Sequence, residues 1–277
     1  MNNEILLESA ELVREQLGSD LDSITLERAV FGLFFSGVKL SSGHGGLSFT
    51  PIKELPQAVC CPSSARAMPL SGRLAGRTAN DLLNDLDNGN VLRKALAVAA
   101  LNALSSACLE KYPLPDDYEI IDDADAFDLV TIPAAGRTVV VGALVPLLKK
   151  LTSADADYVV LEQDVRTLKG KELEHFSPAE DAPFHVPMAD LLVITGTTVL
   201  NGTLPALLEL AKPSAEILVT GPTASMLPHA FFKRGVTMTG GIVVTDPDAL
   251  LDVISEAGSG YHFFGKSARR TVIRKKP

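Results

Sequence analysis

The chain has 277 residues, 46% of them hydrophobic and 21% charged, which is a globular composition with room for one large or two ordinary domains and excludes a disordered chain. A net charge of −9 carries no electrostatic footprint for nucleic acid and opposes approach to anionic membranes, so small molecules or other proteins are the expected partners. Cys60, Cys61 and Cys108 form no disulfide framework, and Glu4, Glu8 and Glu11 stand where a secretory leader is basic, so a soluble cytoplasmic protein is expected.

Residues 3–17 space Ile5, Leu6, Leu12, Val13 and Leu17 near a helical period and stop at Gly18, predicting a surface helix. Segments 23–26, 29–35 and 38–40 are β-rich. The cluster Gly43-His44-Gly45-Gly46 leads into 47–50, which predicts an antiparallel meander with a wide turn. A short strand is expected over 58–61. Helices follow over 78–86 and 91–111, the second closed by Pro113 and Pro115. The longest apolar run, 95–104, is too short to span a bilayer, so no membrane insertion is expected. Tyr112-Pro113-Leu114-Pro115-Asp116-Asp117 reads as a linker, dividing the chain into an α+β unit of residues 1–115 and a second unit of residues 116–277.

Beyond the linker the texture changes. Strands over 138–141, 158–161, 191–194, 216–220, 236–239 and 270–273 alternate with helices over 145–151, 204–210, 225–233 and from Pro247 to Gly258, around a looser charged segment at 166–187. Such repeated units imply right-handed crossovers and an α/β fold with a doubly wound, mainly parallel sheet. Ligands bind such sheets beyond the carboxyl ends of the strands.

At those ends stand hydroxyls and glycines. Thr195-Gly196-Thr197-Thr198 and Asn201-Gly202-Thr203 join a buried strand to a helix, an arrangement that suits a carboxylate or phosphate, although one helix cap and one turn explain part of it. Thr220-Gly221-Pro222-Thr223 and Thr239-Gly240-Gly241 repeat the composition at two later strand ends. The first turn, Val141-Gly142-Ala143-Leu144-Val145-Pro146, offers one of the three glycines of the dinucleotide fingerprint, which disfavours an ordinary NAD site. Glu162 nevertheless ends the second strand, where these folds set an acid on ribose hydroxyls; an acid merely exposed at a strand end is the plainer reading.

His44 is a titratable loop imidazole, and Asn102, among alanines and leucines, carries an amide that must be satisfied if buried. Adjacent Cys60 and Cys61 point to opposite faces of a strand, no C-x-x-C spacing occurs, and Cys108 reads as core, so a structural zinc site is disfavoured. The basic run Lys266, Arg269, Arg270, Arg274, Lys275 and Lys276 reads as a solvated edge strand and tail that would attract an anion if it lay beside a cleft.

Together, 138–142, Val160-Leu161-Glu162, 189–203, 220–223 and 235–247 resemble the Rossmann-like C-terminal domain of the "putative heavy-metal chelation" family, while 31–51 and 95–104 look like its companion, an enolase-N-like domain. The resemblance implies two domains with a site in the cleft between them and a role in heavy-metal chelation, and it carries over no enolase chemistry. The expected function is binding of a small polar or anionic ligand in that cleft, a metal or metal-chelator complex. Gly142, Thr195, Gly196, Thr197, Asn201, Gly221 and Pro222 would line it, Glu162 would accept from hydroxyls, and His44 or Asn102 would close it from the N-terminal unit. The alternatives are a methyltransferase-like or nucleotide-using enzyme with an adenosine-containing cofactor and His44 as general base, or an accessory protein for a metal transporter. Whether the chain forms a homo-oligomer stays open.

Overall fold

The computed structural model describes residues 3–55 and 66–276, arranged around a three-stranded and an eight-stranded sheet. The strand expected over 58–61, with Cys60 and Cys61, lies outside the described residues.

α1 (Glu4–Leu17) buries Ile5, Leu6, Ala10, Val13 and Leu17 along one stripe and ends at Gly18, whose positive φ lets its N–H reach the Arg14 carbonyl. After the short α2 (Asp20–Ser23), β1 (Leu26–Phe31), β2 (Phe35–Leu40) and β3 (Gly45–Phe49) form the expected antiparallel meander. The helix expected over 78–86 is shorter: α3 (Ala79–Leu83), capped by Thr78, tightens into a 3-10 turn over Asn84–Asp87. α4 (Val91–Lys111) starts at Asn90, whose side-chain oxygen accepts from the N–H groups of Leu92 and Arg93. It lies so close on the meander that a Cβ at Gly46 would stand 2.1 Å from the Ala99 carbonyl oxygen. α4 is long and apolar enough to cross a bilayer by length and composition, but its apolar residues are core, packed with α1, α3 and the helices of the large sheet.

The large sheet contains β4 (Tyr118–Asp122), β5 (Thr138–Val141), β6 (Tyr158–Glu162), β7 (Phe176–Pro178), β8 (Leu191–Thr195), β9 (Glu216–Thr220), β10 (Met238–Val244) and β11 (Ala268–Lys275). Between them run α5 (Ala126–Leu129), α6 (Val145–Ser153), α7 (Ala182–His185), α8 (Thr197–Leu200), α9 (Leu204–Leu210), α10 (His229–Phe232), α11 (Pro247–Ser255) and α12 (Gly260–Phe263). The order is β4-β11-β10-β9-β8-β5-β6-β7, and β5 to β10 are parallel. Counted along the chain, those six strands lie 6-5-4-1-2-3, the doubly wound Rossmann order, with its switch point between β5 and β8. Both faces are covered. Val140, Val160, Val193 and Leu218 meet α6 on one face, while Val139, Leu192, Ile194 and Val219 join the core containing α4, α9 and α10 on the other.

Several elements differ from expectation. β4 forms immediately after the proline linker and is one sheet edge, so most of the basic run lies in an inner strand, β11: Arg269 pairs with Asp122 and Arg274 with Glu119 of β4, and Arg270 lies near Asp125 just beyond it. Gly240-Gly241 lies within β10 rather than in a loop after it. Glycine is needed there for close approach, since a Cβ at Gly240 would stand 2.6 Å from Thr220 Oγ1 and one at Gly241 2.9 Å from Ser225 Oγ. The looser segment contains β7, and the helix expected over 225–233 is the single turn α10, entered from Pro228.

A buried amide ties the meander to the turn after β9. Asn102 Nδ2, buried on α4, donates to the carbonyls of Leu47 (2.7 Å), Thr223 (3.1 Å) and Pro222 (3.3 Å), and the Phe49 N–H donates to Thr223 Oγ1 (2.9 Å). β3 is thereby held over the turn that follows β9.

Candidate functional site

The turns after β5, β6, β8 and β9 all lie at the carboxyl edge of the parallel strands, and the structure distributes their residues between two cavities. The first, about 160 Å³, sits at the switch point and is lined by Gly142, Glu162, Thr195, Thr197 and Asn201, with Ala182 from α7. Gly142 adopts φ +95°, and a Cβ on it would stand 2.7 Å from Thr195 Cγ2, so only glycine lets the two turns meet.

Most polar groups of this crevice are engaged with one another. Glu162 Oε2 accepts from the Ala143 N–H (2.9 Å), and Oε1 from those of Gln163 (2.8 Å) and Asp164 (3.1 Å). Asn201 Oδ1 accepts from the N–H (3.1 Å) and hydroxyl (2.7 Å) of Thr203, while Thr198 Oγ1 donates to the Thr195 carbonyl (2.7 Å). The segment 195–201 is accordingly not an open polar loop: its hydroxyls fold it into α8. Gly196 borders neither cavity. Its N–H donates to the Thr220 carbonyl (2.7 Å), and a Cβ would stand 3.1 Å from Ala224 N, so it serves the close approach of two turns.

The second cavity, about 590 Å³, lies between the meander and the carboxyl edge. Phe34 and Phe49 come from the meander, Phe127 from α5, and Tyr261 and Phe264 from α12 and the residue beyond it. Gly221, Pro222, Gly240 and Gly241 line it where the backbone comes close. Its volume is that of a small-molecule site. Two charges stand in this mostly apolar wall. Asp125 Oδ1 caps α5 by accepting from the Phe127 N–H (3.0 Å), and its Oδ2 lies 3.5 Å from Arg270 Nε. The Arg270 guanidinium stacks on Phe264, Cζ 4.0 Å from the ring centroid, and its two Nη nitrogens have no partner among the described residues.

Thus Gly142, Glu162, Thr195, Thr197 and Asn201 come together in one crevice, and Gly221 and Pro222 in the other. His44 borders neither. Its ring lies against Ser42 Oγ and Glu110 Oε2, both at 3.1 Å, near the end of α4. Asn102 is the buried stitch described above, and its Oδ1 has no hydrogen-bond partner among the described residues. The aromatic wall escaped the sequence reading because its rings arrive singly from distant segments. Arg270 was visible only as part of a basic run.

Among the described residues, no group of three His, Cys, Asp or Glu side chains is close enough to hold a metal ion. Cys108 is buried, and burial pushes its thiol up to about 11, so it is protonated at neutral pH and is no thiolate ligand. The donor set of the described residues does not fit a heavy metal bound directly by protein side chains.

Comparison with known proteins bears on the same molecule. Residues 125–273 match the DUF364 family model and residues 14–105 the DUF4213 model, both described as "Putative heavy-metal chelation". An uncharacterized protein of Methanocaldococcus jannaschii is 28% identical over 198 residues, 71% of this chain and 72% of that one. Two crystal structures of DUF364 proteins of unknown function share the fold. The one from Pyrococcus horikoshii is 21% identical with a TM-score of 0.74, covering 98% of this chain and 99% of its own. The one from Desulfitobacterium hafniense is 20% identical with a TM-score of 0.70, covering 97% and 99%.

Proposed function

The chain belongs to the DUF364 family, described as putative heavy-metal chelation, and from that premise we propose that its larger cavity binds a small organic ligand able to carry a heavy metal. In this reading residues 1–115 and 116–277 are two domains and the cavity is the cleft between them. The protein grips the chelator, and the metal is cargo. The observation that carries the reading is the 590 Å³ space lined by aromatic rings, with one guanidinium whose Nη groups lack partners among the described residues, whose donors form no metal cluster. A chelator presents an organic surface and needs few protein ligands. Aromatic walls bury that surface, and fixed polar groups orient it.

The rival, an adenosine-containing cofactor at the switch point, draws on the strand order and on Glu162. Against it, the crevice there is about 160 Å³, and both oxygens of Glu162 already accept backbone N–H groups.

Thermal unfolding with small chelators and their zinc, nickel and copper complexes, alongside S-adenosylmethionine and NAD, tests the choice. A chelate bound at a hundred times its Kd stabilises by about 2.7 kcal/mol, a shift readily seen for a chain of this size. Pro146, exposed at the rim of the larger cavity, provides the control: Pro146→Trp is expected to obstruct the opening and abolish the shift. Stabilisation by the adenosine compounds alone would transfer the site to the switch point, and a chelate shift that survives Pro146→Trp would remove it from the cleft.

A further inference from the structure

The wall chemistry of the larger cavity narrows the class of ligand further. Six aromatic rings, from Phe34, Phe35, Phe49, Phe127, Tyr261 and Phe264, favour a flat conjugated partner, which gains from offset or edge-on ring contacts that a sugar or an inorganic anion cannot make. Arg270 adds one fixed polar demand. Its guanidinium head, not only its stem, is held at the wall by stacking on Phe264 at 4.0 Å. The neighbouring Asp125 does not satisfy it: the Nε–Oδ2 separation of 3.5 Å is long for a charge-assisted hydrogen bond, and both side chains stay partly exposed, at 45% and 34%. The two Nη groups therefore remain available as a planar fork, the geometry that matches a carboxylate. Asp125 limits the total negative charge that the site tolerates, because a polyanion brought to Arg270 would also meet that carboxylate.

We propose that the cleft selects planar aromatic monocarboxylates, with the Arg270 guanidinium fork as the group that recognises the carboxylate. This class includes pyridine-2-carboxylates, in which ring nitrogen and carboxylate together chelate a metal, so the inference rests on the chelator-binding reading and gives it a chemical identity. A carboxylate oxygen shared between Arg270 and a metal leaves the ring among the phenylalanines.

Calorimetric titration with pyridine-2-carboxylate and its neutral isostere pyridine-2-carboxamide, both without metal, tests this. The unmodified chain is expected to prefer the acid by roughly tenfold or more, the scale of one well-formed charged contact. In Arg270→Met, which keeps an unbranched side chain against Phe264 but removes the charge, the acid is expected to fall to the affinity of the amide. Arg270→Lys restores the charge without the fork and should lie between. Equal binding of acid and amide by the unmodified chain, or an acid preference that survives Arg270→Met, overturns the assignment of Arg270. If both probes bind equally and Pro146→Trp displaces both, the cleft reading stands while the carboxylate inference falls. Absence of binding by either probe also overturns the inference, and the chelate series then decides the cleft reading separately.

Discussion

The two crevices at the carboxyl edge have opposite characters. The switch-point crevice is rich in polar groups, yet its carboxylate, its asparagine oxygen and two of its threonines are joined to nearby backbone or to each other. The cleft beneath the meander is poor in polar groups, and its guanidinium has donors to offer. Density of hydroxyls and glycines therefore marks where the chain turns tightly. The larger open space lies where side chains of the meander and of the elements around the large sheet leave a gap between them. Polar residues at strand ends first satisfy the backbone they interrupt, and only the remainder is available to a ligand.

The largest test of this contrast is at Asn102. Its Nδ2 serves three carbonyls, on β3 and on the turn after β9, and so fixes the meander over the cleft. Asn102→Leu keeps the volume but strands those acceptors in a buried place, so urea denaturation is expected to register a loss of about 3 kcal/mol. Affinity for a cleft ligand should fall with it, because Pro222 lines the cavity. A variant as stable as the parent would mean that the carbonyls find other donors and that the stitch is dispensable. Glu162 gives the sharper, smaller contrast. Glu162→Ala removes a carboxylate that organises three N–H groups and should cost about 2 kcal/mol of stability. Affinity for pyridine-2-carboxylate should stay unchanged. A variant of normal stability with altered ligand binding would reverse the roles of the two crevices.

Much of the architecture was legible for a physical reason. β5, β6, β8 and β9 are buried on both faces, so each reads as a continuous apolar run, and the prolines and glycines that bracket them mark the turns. β4 escaped because an edge strand needs only one buried face and this one, Tyr118–Asp122, carries acids next to the prolines of a linker. β7 is three residues long and ends in Pro178, too short for a pattern. Gly240-Gly241 reads as a turn because the local signal for a turn and for close backbone approach is the same residue. The turn glycines were legible at the candidate site for the same reason. The aromatic lining was not, since Phe34, Phe127 and Phe264 come to one cavity only through tertiary structure, and no local spacing announces that.

The smallest expected effect separates stability from binding through pH. His229 on α10 packs edge-on against Tyr118, its Nδ1 is buried without a partner among the described residues, and burial holds its pKa below the ordinary 6.5 despite the nearby Asp117. The native state thus prefers the neutral imidazole, and the unfolded chain binds the proton more readily. Stability from this group is complete above pH 6.5 and is lost as pH falls through the window between that value and the depressed native one. The melting temperature of the free protein should decline over that window, and His229→Gln should flatten the decline. Under the proposed reading, binding in the cleft is expected to follow a different rule. A simple aromatic acid such as 1-naphthoate keeps its carboxylate ionised across the same range, so its affinity should remain level while stability drifts. If affinity instead tracked the melting temperature, and His229→Gln levelled both, the cleft would be coupled to the packing around α10 rather than governed by its own wall.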